Sequence, residues 1–293
     1  MRNASAAMSR INLPDDDWHK LILRSMSDDA LELPGFPPQN TQEIFVGRSN
    51  EAAMDEAYKF YRAIKGAAPL TSETKVLDFG VGWGRIIRYF NKDVASKNLF
   101  GVDVDAAILD ECKRINVPGN LQHIQPHGKL PFKDRTFHIA YAFSVFSHLS
   151  EASARHWLHE LVRVLRYDGK LVLTSTSDRF LDLCLACKLK SSDRNSYEEM
   201  YAAMFGDPRA AVDSYRRGEH VYAAAGGQSD VLKADTYGWA SMPKAFVERE
   251  IGHLVSSIEF SDDPFEFEQA VFTIRKRPFS FRSLLRTHLR TSQ

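Results

Sequence analysis

The chain has 293 residues, near the upper size for one hydrophobic core, so a single elaborated domain or a core with a cap is expected. Thirty-eight basic residues balance thirty-eight acidic ones, which argues against a dedicated nucleic-acid binder, whose surface needs a basic excess. No uncharged apolar run approaches a membrane span, no apolar signal core opens the chain, and three cysteines make no disulfide framework; a cytoplasmic protein is expected.

Residues 1–43 are rich in proline, aspartate and polar residues and read as a loosely ordered arm with one short helix. SNEAAMDEAYKFYRAIKG (49–66) places Ala53, Tyr58, Tyr61 and Ile64 near helical spacing, which predicts an amphipathic helix ended by Gly66. KVLDFG (75–80) predicts a strand, GRIIRYFNK (84–92) a helix, NLFGVDVD (98–105) a second strand and DAAILDECKRIN (105–116) a second helix. LQHIQ (121–125) and FHIAYAFS (137–144) predict the third and fourth strands. EASARHWLHELVRVLR (151–166), apolar at 154, 157, 158, 161, 162 and 165, predicts a helix, and GKLVLTST (169–176) a fifth strand. This alternation implies βαβ units and a mainly parallel, doubly wound sheet.

The alternation stops at about 177. Residues 178–240 are polar with scattered aromatics and glycines, and are expected to be an inserted cap that recognises substrate. SMPKAFVEREIG (241–252) predicts a helix with Ser241 as N-cap and Gly252 as its stop. HLVSSIEFS and FEQAVFTIRKR then predict a closing hairpin. The expected division is an N-terminal arm and helix (1–70), a core (71–177), the cap (178–240), the end of the core (241–278) and a basic tail (279–293).

VLDFGVGWGR (76–85) carries the chemistry. Gly80, Gly82 and Gly84 make G-x-G-x-G, and Arg85 stands where the dinucleotide fingerprint needs its third glycine. No Gly-Lys-Ser/Thr follows, so a P-loop is excluded. Asp78 would repel a pyrophosphate at this turn and would favour a sulfonium or an α-amino group. Asp103, at the end of the second strand, can accept hydrogen bonds from both hydroxyls of a ribose. Together these residues describe a nucleoside joined to an amino acid, the form of S-adenosylmethionine.

At this point the chain resembles the class I S-adenosylmethionine-dependent methyltransferases. VLDFGVGWGRIIRYF resembles their first motif and LFGVDVD their second. LPFKDRTFHIAYAFSVFSHLSE is similar to their fourth-strand segment and LVRVLRYDGKLVLT to their helix-to-fifth-strand segment, so the resemblance covers about 75–177. GWGR followed by Arg88, and then SVFSHL, resembles bacterial members acting on small molecules or saccharides. The resemblance implies a Rossmann-like sheet of seven strands with an antiparallel last strand, and S-adenosyl-L-methionine as cofactor. It implies that Asp78, Gly80, Gly82 and Gly84 face the methionine part, that Asp103 holds the ribose with Val104 beside the adenine, and that Phe143 and Ser144 border the amino-acid end. Two departures stand out. QPHGKLPF lacks the acid many relatives use for the adenine amino group, and the usual Phe-Asp of the fourth strand is Phe137-His138.

His148, after the fourth strand, is the candidate general base toward an acceptor hydroxyl, against a role in ordering the next helix. No Asn-Pro-Pro-aromatic motif follows that strand, which disfavours base methylation of nucleic acids. Tyr237 and Trp239 are candidates to stack on a sugar or aromatic acceptor. Cys184 and Cys187 lack a second ligand pair and read as buried thiols, and His156 and His159 match no zincin order, so no metal is expected. The tail from Arg275 to Arg290 is basic with interleaved leucines, a weak candidate for membrane-surface contact. The expected activity is methyl transfer to a small molecule or saccharide, at oxygen. The rivals are a non-catalytic nucleoside-binding protein of the same fold and a nicotinamide-dependent oxidoreductase, which the glycine pattern and Asp78 disfavour.

Overall fold

The computed structural model describes residues 13–191, 193–225 and 233–279. The basic tail beyond Phe279 lies outside them. Among the described residues no helix is long and apolar enough to cross a membrane.

A seven-stranded sheet organises the chain. Its strands are β1 (Val76–Phe79), β2 (Leu99–Asp103), β3 (Asn120–His123), β4 (Phe137–Ala142), β5 (Leu165–Ser175), β8 (Val255–Ser261) and β9 (Ala270–Lys276). The order is β3-β2-β1-β4-β5-β9-β8, with β1 to β5 parallel and β9 antiparallel to both neighbours; the seven strands and the antiparallel last strand are those the resemblance implies. The strand order reverses at β1 and β4. Crossovers leave β1 toward one edge of the sheet and β4 toward the other, so a crevice opens above the carboxyl ends of these two strands.

Helices cover both faces. On one side lie α1 (Asp15–Arg24), α2 (Gln39–Val46), α3 (Asn50–Ala67), α4 (Ile87–Phe90) and α5 (Ala106–Arg114). Trp18, Phe60, Tyr61, Phe90 and Leu109 fill the core beneath them. On the other side α6 (Glu151–Val164) and α10 (Lys244–Ile251) bury Trp157, Leu158, Leu161, Phe246 and Val247. The caps follow local chemistry: the Asp105 carboxylate accepts from the N–H of Ala107 at 2.9 Å and of Ile108 at 3.3 Å at the start of α5. At the end of α6 the Lys276 ammonium donates to the carbonyls of Val162 at 2.6 Å and Leu165 at 2.7 Å, a cation where the helix dipole is negative.

Residues 178–240 have a small apolar core of their own. α7 (Asp178–Leu189), α8 (Ser196–Met204) and α9 (Pro208–Arg216) bury Leu181, Cys184, Phe205, Val212 and Tyr215, and the antiparallel pair β6 (Val221–Ala224) and β7 (Gly238–Ser241) closes them. Cys184 and Cys187 are free buried thiols, and among the described residues no His/Cys/Asp/Glu group is placed to hold a metal.

Five local expectations are corrected. The arm before residue 43 holds α1, a 3-10 turn (Asp29–Leu31) and the start of α2, because Trp18 and Ile22 supply buried anchors the composition did not reveal. The helix predicted over 84–92 is reduced to Ile87–Phe90, because the left-handed glycines of the preceding turn delay its first helical residue. Gly66 does not end α3, which runs to Ala67. β5 starts at Leu165 rather than 169, since Leu165 pairs with Phe137 before a bulge at which Asp168 adopts φ 61°. Ser241 is not a helix cap: it ends β7 with its hydroxyl 2.6 Å from that of Thr176, and α10 begins after Pro243.

Candidate active site

The first wall of the crevice is the turn after β1. Gly80, Gly82 and Gly84 all lie at positive φ, so a non-glycine residue at any of them would be strained. Their missing side chains serve different ends. A Cβ on Gly80 would stand 2.4 Å from a methyl of Val145, and one on Gly84 2.4 Å from a methyl of Val117, so packing excludes side chains there. A Cβ on Gly82 would meet only the Phe45 ring at 3.7 Å, which leaves the Gly82 backbone open to close approach.

Asp103 ties this turn to β2. One carboxylate oxygen accepts the Gly82 N–H at 2.8 Å and the other accepts the Asp105 N–H at 3.0 Å. A carboxylate has about four acceptor positions, so two remain for a ligand hydroxyl pair. Burial pushes the Asp103 carboxyl above its ordinary range against these hydrogen bonds. Val104 follows, half-buried, its carbonyl accepting from His123 Nε2 at 3.0 Å.

Asp78 lies beneath the turn, 2% exposed. Its carboxylate accepts from the Tyr141 hydroxyl at 2.7 Å, and burial, with Asp103 nearby, pushes its pKa up to about 8. A buried acid held near its neutral form gains most when a cation arrives.

The second wall rises from the end of β4. Phe143 packs on Phe60 with centroids 4.7 Å apart, and the Arg85 guanidinium lies 5.1 Å from the Phe143 ring centre while binding Glu56 and the Ala53 carbonyl. Ser144 adopts φ 57°, a strained conformation for a non-glycine residue. Its N–H donates to the Thr174 hydroxyl at 2.8 Å, and Gln269 donates to its hydroxyl at 2.9 Å. The next residue, Val145, packs on Gly80, which is where the two walls meet.

His148 stands beyond this junction. Its Nδ1 lies 2.9 Å from the Gly238 carbonyl, and its ring stacks on Tyr237 at 4.8 Å and 10° and leans on Trp239 at 5.2 Å. Main-chain bonds from Gly238 N to His148 O (2.9 Å) and from Ala240 N to Ser147 O (2.8 Å) stitch β7 onto this loop. The structure thus brings His148, Tyr237 and Trp239 together, each aromatic ring packing on the imidazole. Burial lowers the His148 pKa below its ordinary 6.5.

Other flagged positions take structural roles. His156 Nε2 binds the Gly128 carbonyl at 2.8 Å, and His138, in place of the expected aspartate, accepts the Lys75 N–H at 2.9 Å and contacts Arg166. Gln269, Thr174 and Ser147 escaped the sequence reading. Gln269 reaches Ser144 across 125 positions, and no local pattern announces such a contact.

A doubly wound sheet with a glycine turn after β1 and an acid ending β2 places the protein in the α/β class whose ligands lie in the crevice at the carboxyl ends of the strands. Residues 76–169 match the family model described as a methyltransferase domain. No curated protein matches the chain. Among solved structures, the PH0226 protein of Pyrococcus horikoshii OT3 is 16% identical, with 78% of this chain and 92% of that one covered at a TM-score of 0.51. An S-adenosylmethionine-dependent methyltransferase of Clostridium acetobutylicum ATCC 824 is 12% identical, with 81% and 96% covered at 0.50. At such identities these two share a fold with this chain. Residues 76–169 are thus a methyltransferase domain on a Rossmann-like sheet, and the cofactor is S-adenosylmethionine.

Proposed function

We propose that the protein moves a methyl group from S-adenosylmethionine to an oxygen of a small-molecule or saccharide acceptor, with residues 178–240 as the cap over that acceptor and His148 as the base. The observation that carries the reading is the hydrogen bond from His148 to Gly238. A main-chain carbonyl only accepts, so Nδ1 holds the proton of the neutral ring and Nε2 holds the lone pair. The lowered pKa keeps that form in place at neutral pH. Nε2 has no protein partner among the described residues, so an acceptor hydroxyl can deliver its proton there.

The residues of the turn fit the donor. The open face of Gly82 admits a close approach, Asp103 retains acceptor positions for the ribose hydroxyls, and Val104 would flank the adenine. Asp78 would supply negative charge beneath the sulfonium and ammonium groups, with Gly80 and Gly84 shaping the turn and Phe143 and Ser144 bordering the amino-acid end. The donor brings an already activated methyl group. The protein therefore has to align the acceptor oxygen, exclude water and accept one proton at His148 Nε2. Tyr237 and Trp239 orient the imidazole, and their remaining surfaces suit a sugar ring or an aromatic acceptor.

A transfer assay with methyl-labelled donor tests this, run against cell extract fractionated into saccharides, lipids, small acids and protein. Label in the saccharide or small-acid fraction, lost with His148→Gln, supports the reading. Label confined to protein or lipid refutes the acceptor class. Tight donor binding without transfer to any fraction points to the non-catalytic alternative.

A further inference from the structure

The arm before α3 grips the glycine turn from outside, and one buried cation makes the grip. Arg88 of α4 is 2% exposed. Its Nε donates to the Gly84 carbonyl at 3.0 Å, Nη1 to Pro34 at 3.3 Å and Nη2 to Gly35 at 3.1 Å. Its guanidinium lies 4.3 Å from the Phe36 ring centre and 5.2 Å from that of Trp83. Among the described residues no carboxylate pairs with it. A charge buried on carbonyls and aromatic faces alone is costly, and a planar fork with several donors suits a joint that holds three main-chain groups in fixed relation.

From that joint the chain runs directly onto the open glycine. Gly35 N–H donates to Ile115 O at 2.8 Å, and the buried Gln42 amide spans the Pro37 carbonyl at 2.9 Å and the Asn50 N–H at 2.8 Å. α2 then delivers Phe45 to within 3.7 Å of the place where a Gly82 Cβ would stand. A hollow of about 480 Å³ between α2 and α5 has Pro38, Thr41 and Phe45 of the arm on one side and Asp105 and Ile108 on the other. Within the turn, Trp83 Nε1 is buried with no hydrogen-bond partner among the described residues.

We propose that Arg88 is a positioning residue for methyl-donor binding: by holding residues 34–36 on the glycine turn it sets α2, with Phe45, as the outer wall of the donor site. The proposal rests on the donor reading of that turn. Arg88 touches no reacting atom, and its effect passes through the placement of Phe45.

Calorimetric titration of the full chain with S-adenosylmethionine and S-adenosylhomocysteine tests it, with melting temperatures recorded for wild type, Arg88→Lys, Arg88→Met and Phe45→Ala. Phe45 lies at the surface of α2, so Phe45→Ala should keep the wild-type melting temperature yet bind both nucleosides about tenfold more weakly, the scale of one well-placed contact. Arg88→Met should weaken binding at least as much, and Arg88→Lys should recover part of the loss through one remaining carbonyl contact. Phe45→Ala and Arg88→Lys that both bind within about twofold of wild type would overturn the proposal, whether or not Arg88→Met folds. A wild-type protein that binds neither nucleoside would overturn the donor reading itself, which separates the two failures.

Discussion

The glycine wall and the histidine wall of the crevice are built from different materials. Around Gly82 the polar groups are main-chain N–H groups held by an acid 21 residues away in one βαβ unit, and nothing but a turn and two strand ends is needed to place them. Around His148 the polar groups are side chains and carbonyls from the β4 loop, β7 and the start of β9, joined across 90 and 125 positions. A donor common to many enzymes can be held by main chain, which any sequence of suitable shape provides. Around His148 the hydrogen-bonding side chains come from the β4 loop and from Gln269, and the added segment contributes the Gly238 carbonyl. The junction is small: Val145 against Gly80.

The difference can be broken one wall at a time. The largest effect is expected on the histidine side. His148→Gln should lower the transfer rate about 100- to 10,000-fold, the range of general base catalysis, with donor affinity unchanged by calorimetry. Equal loss of donor binding would show that the two walls are not separate. The acidic limb of the wild-type rate profile should fall below pH 6.5, because burial lowers the pKa of the base and the neutral ring is the active form.

On the glycine side Asp103→Ala should weaken donor binding by about 1–3 kcal/mol, the scale of lost charge-assisted hydrogen bonds, and Asp103→Asn by less, since its amide oxygen can still accept one N–H. An unchanged affinity in Asp103→Ala would place the ribose elsewhere.

Asp78→Asn sharpens the contrast between binding and stability. The folded carboxyl has its pKa raised from 3.8 to about 8, so the wild type loses stability as pH rises through that window and the loss is complete above it. The variant should therefore melt higher than wild type by a margin that grows up to about pH 8, while binding the sulfonium donor more weakly. A margin independent of pH would mean that Asp78 is ionised throughout. The smallest effect is expected at the rim. Arg48 and Glu268 pair at 2.7 Å, but Glu268 is 73% exposed, and Glu268→Gln should change stability by less than about 1 kcal/mol in denaturant unfolding.

Several elements were legible before any coordinate. The helix expected over 105–116, the apolar stripe of α6 and the glycines with Asp103 are all short-range signals: helical periods and a turn between strand and helix. The errors have a common cause as well. Ser241 has the chemistry of an N-cap, but pairing of β7 with β6 and the Thr176 hydroxyl claimed it first. Leu165 fits the helical period, but Phe137 offers it a strand partner. Arg88 enters the sequence reading only through the resemblance of GWGR and its following residues, because the Pro34 and Gly35 carbonyls on its guanidinium lie 54 and 53 positions away.

The alternation of strands and helices, the glycine turn after β1 and the acid that ends β2 were legible in the sequence alone, because each depends on residues close together in the chain. Only the tertiary structure decided which nitrogen of His148 carries the proton, which glycine is open and which are packed shut, and what closes the turn from outside. Those answers depend on Gly238, Val145, Val117 and the arm, and chain separation hides such partners until the sheet and its two helical faces bring them within hydrogen-bond reach.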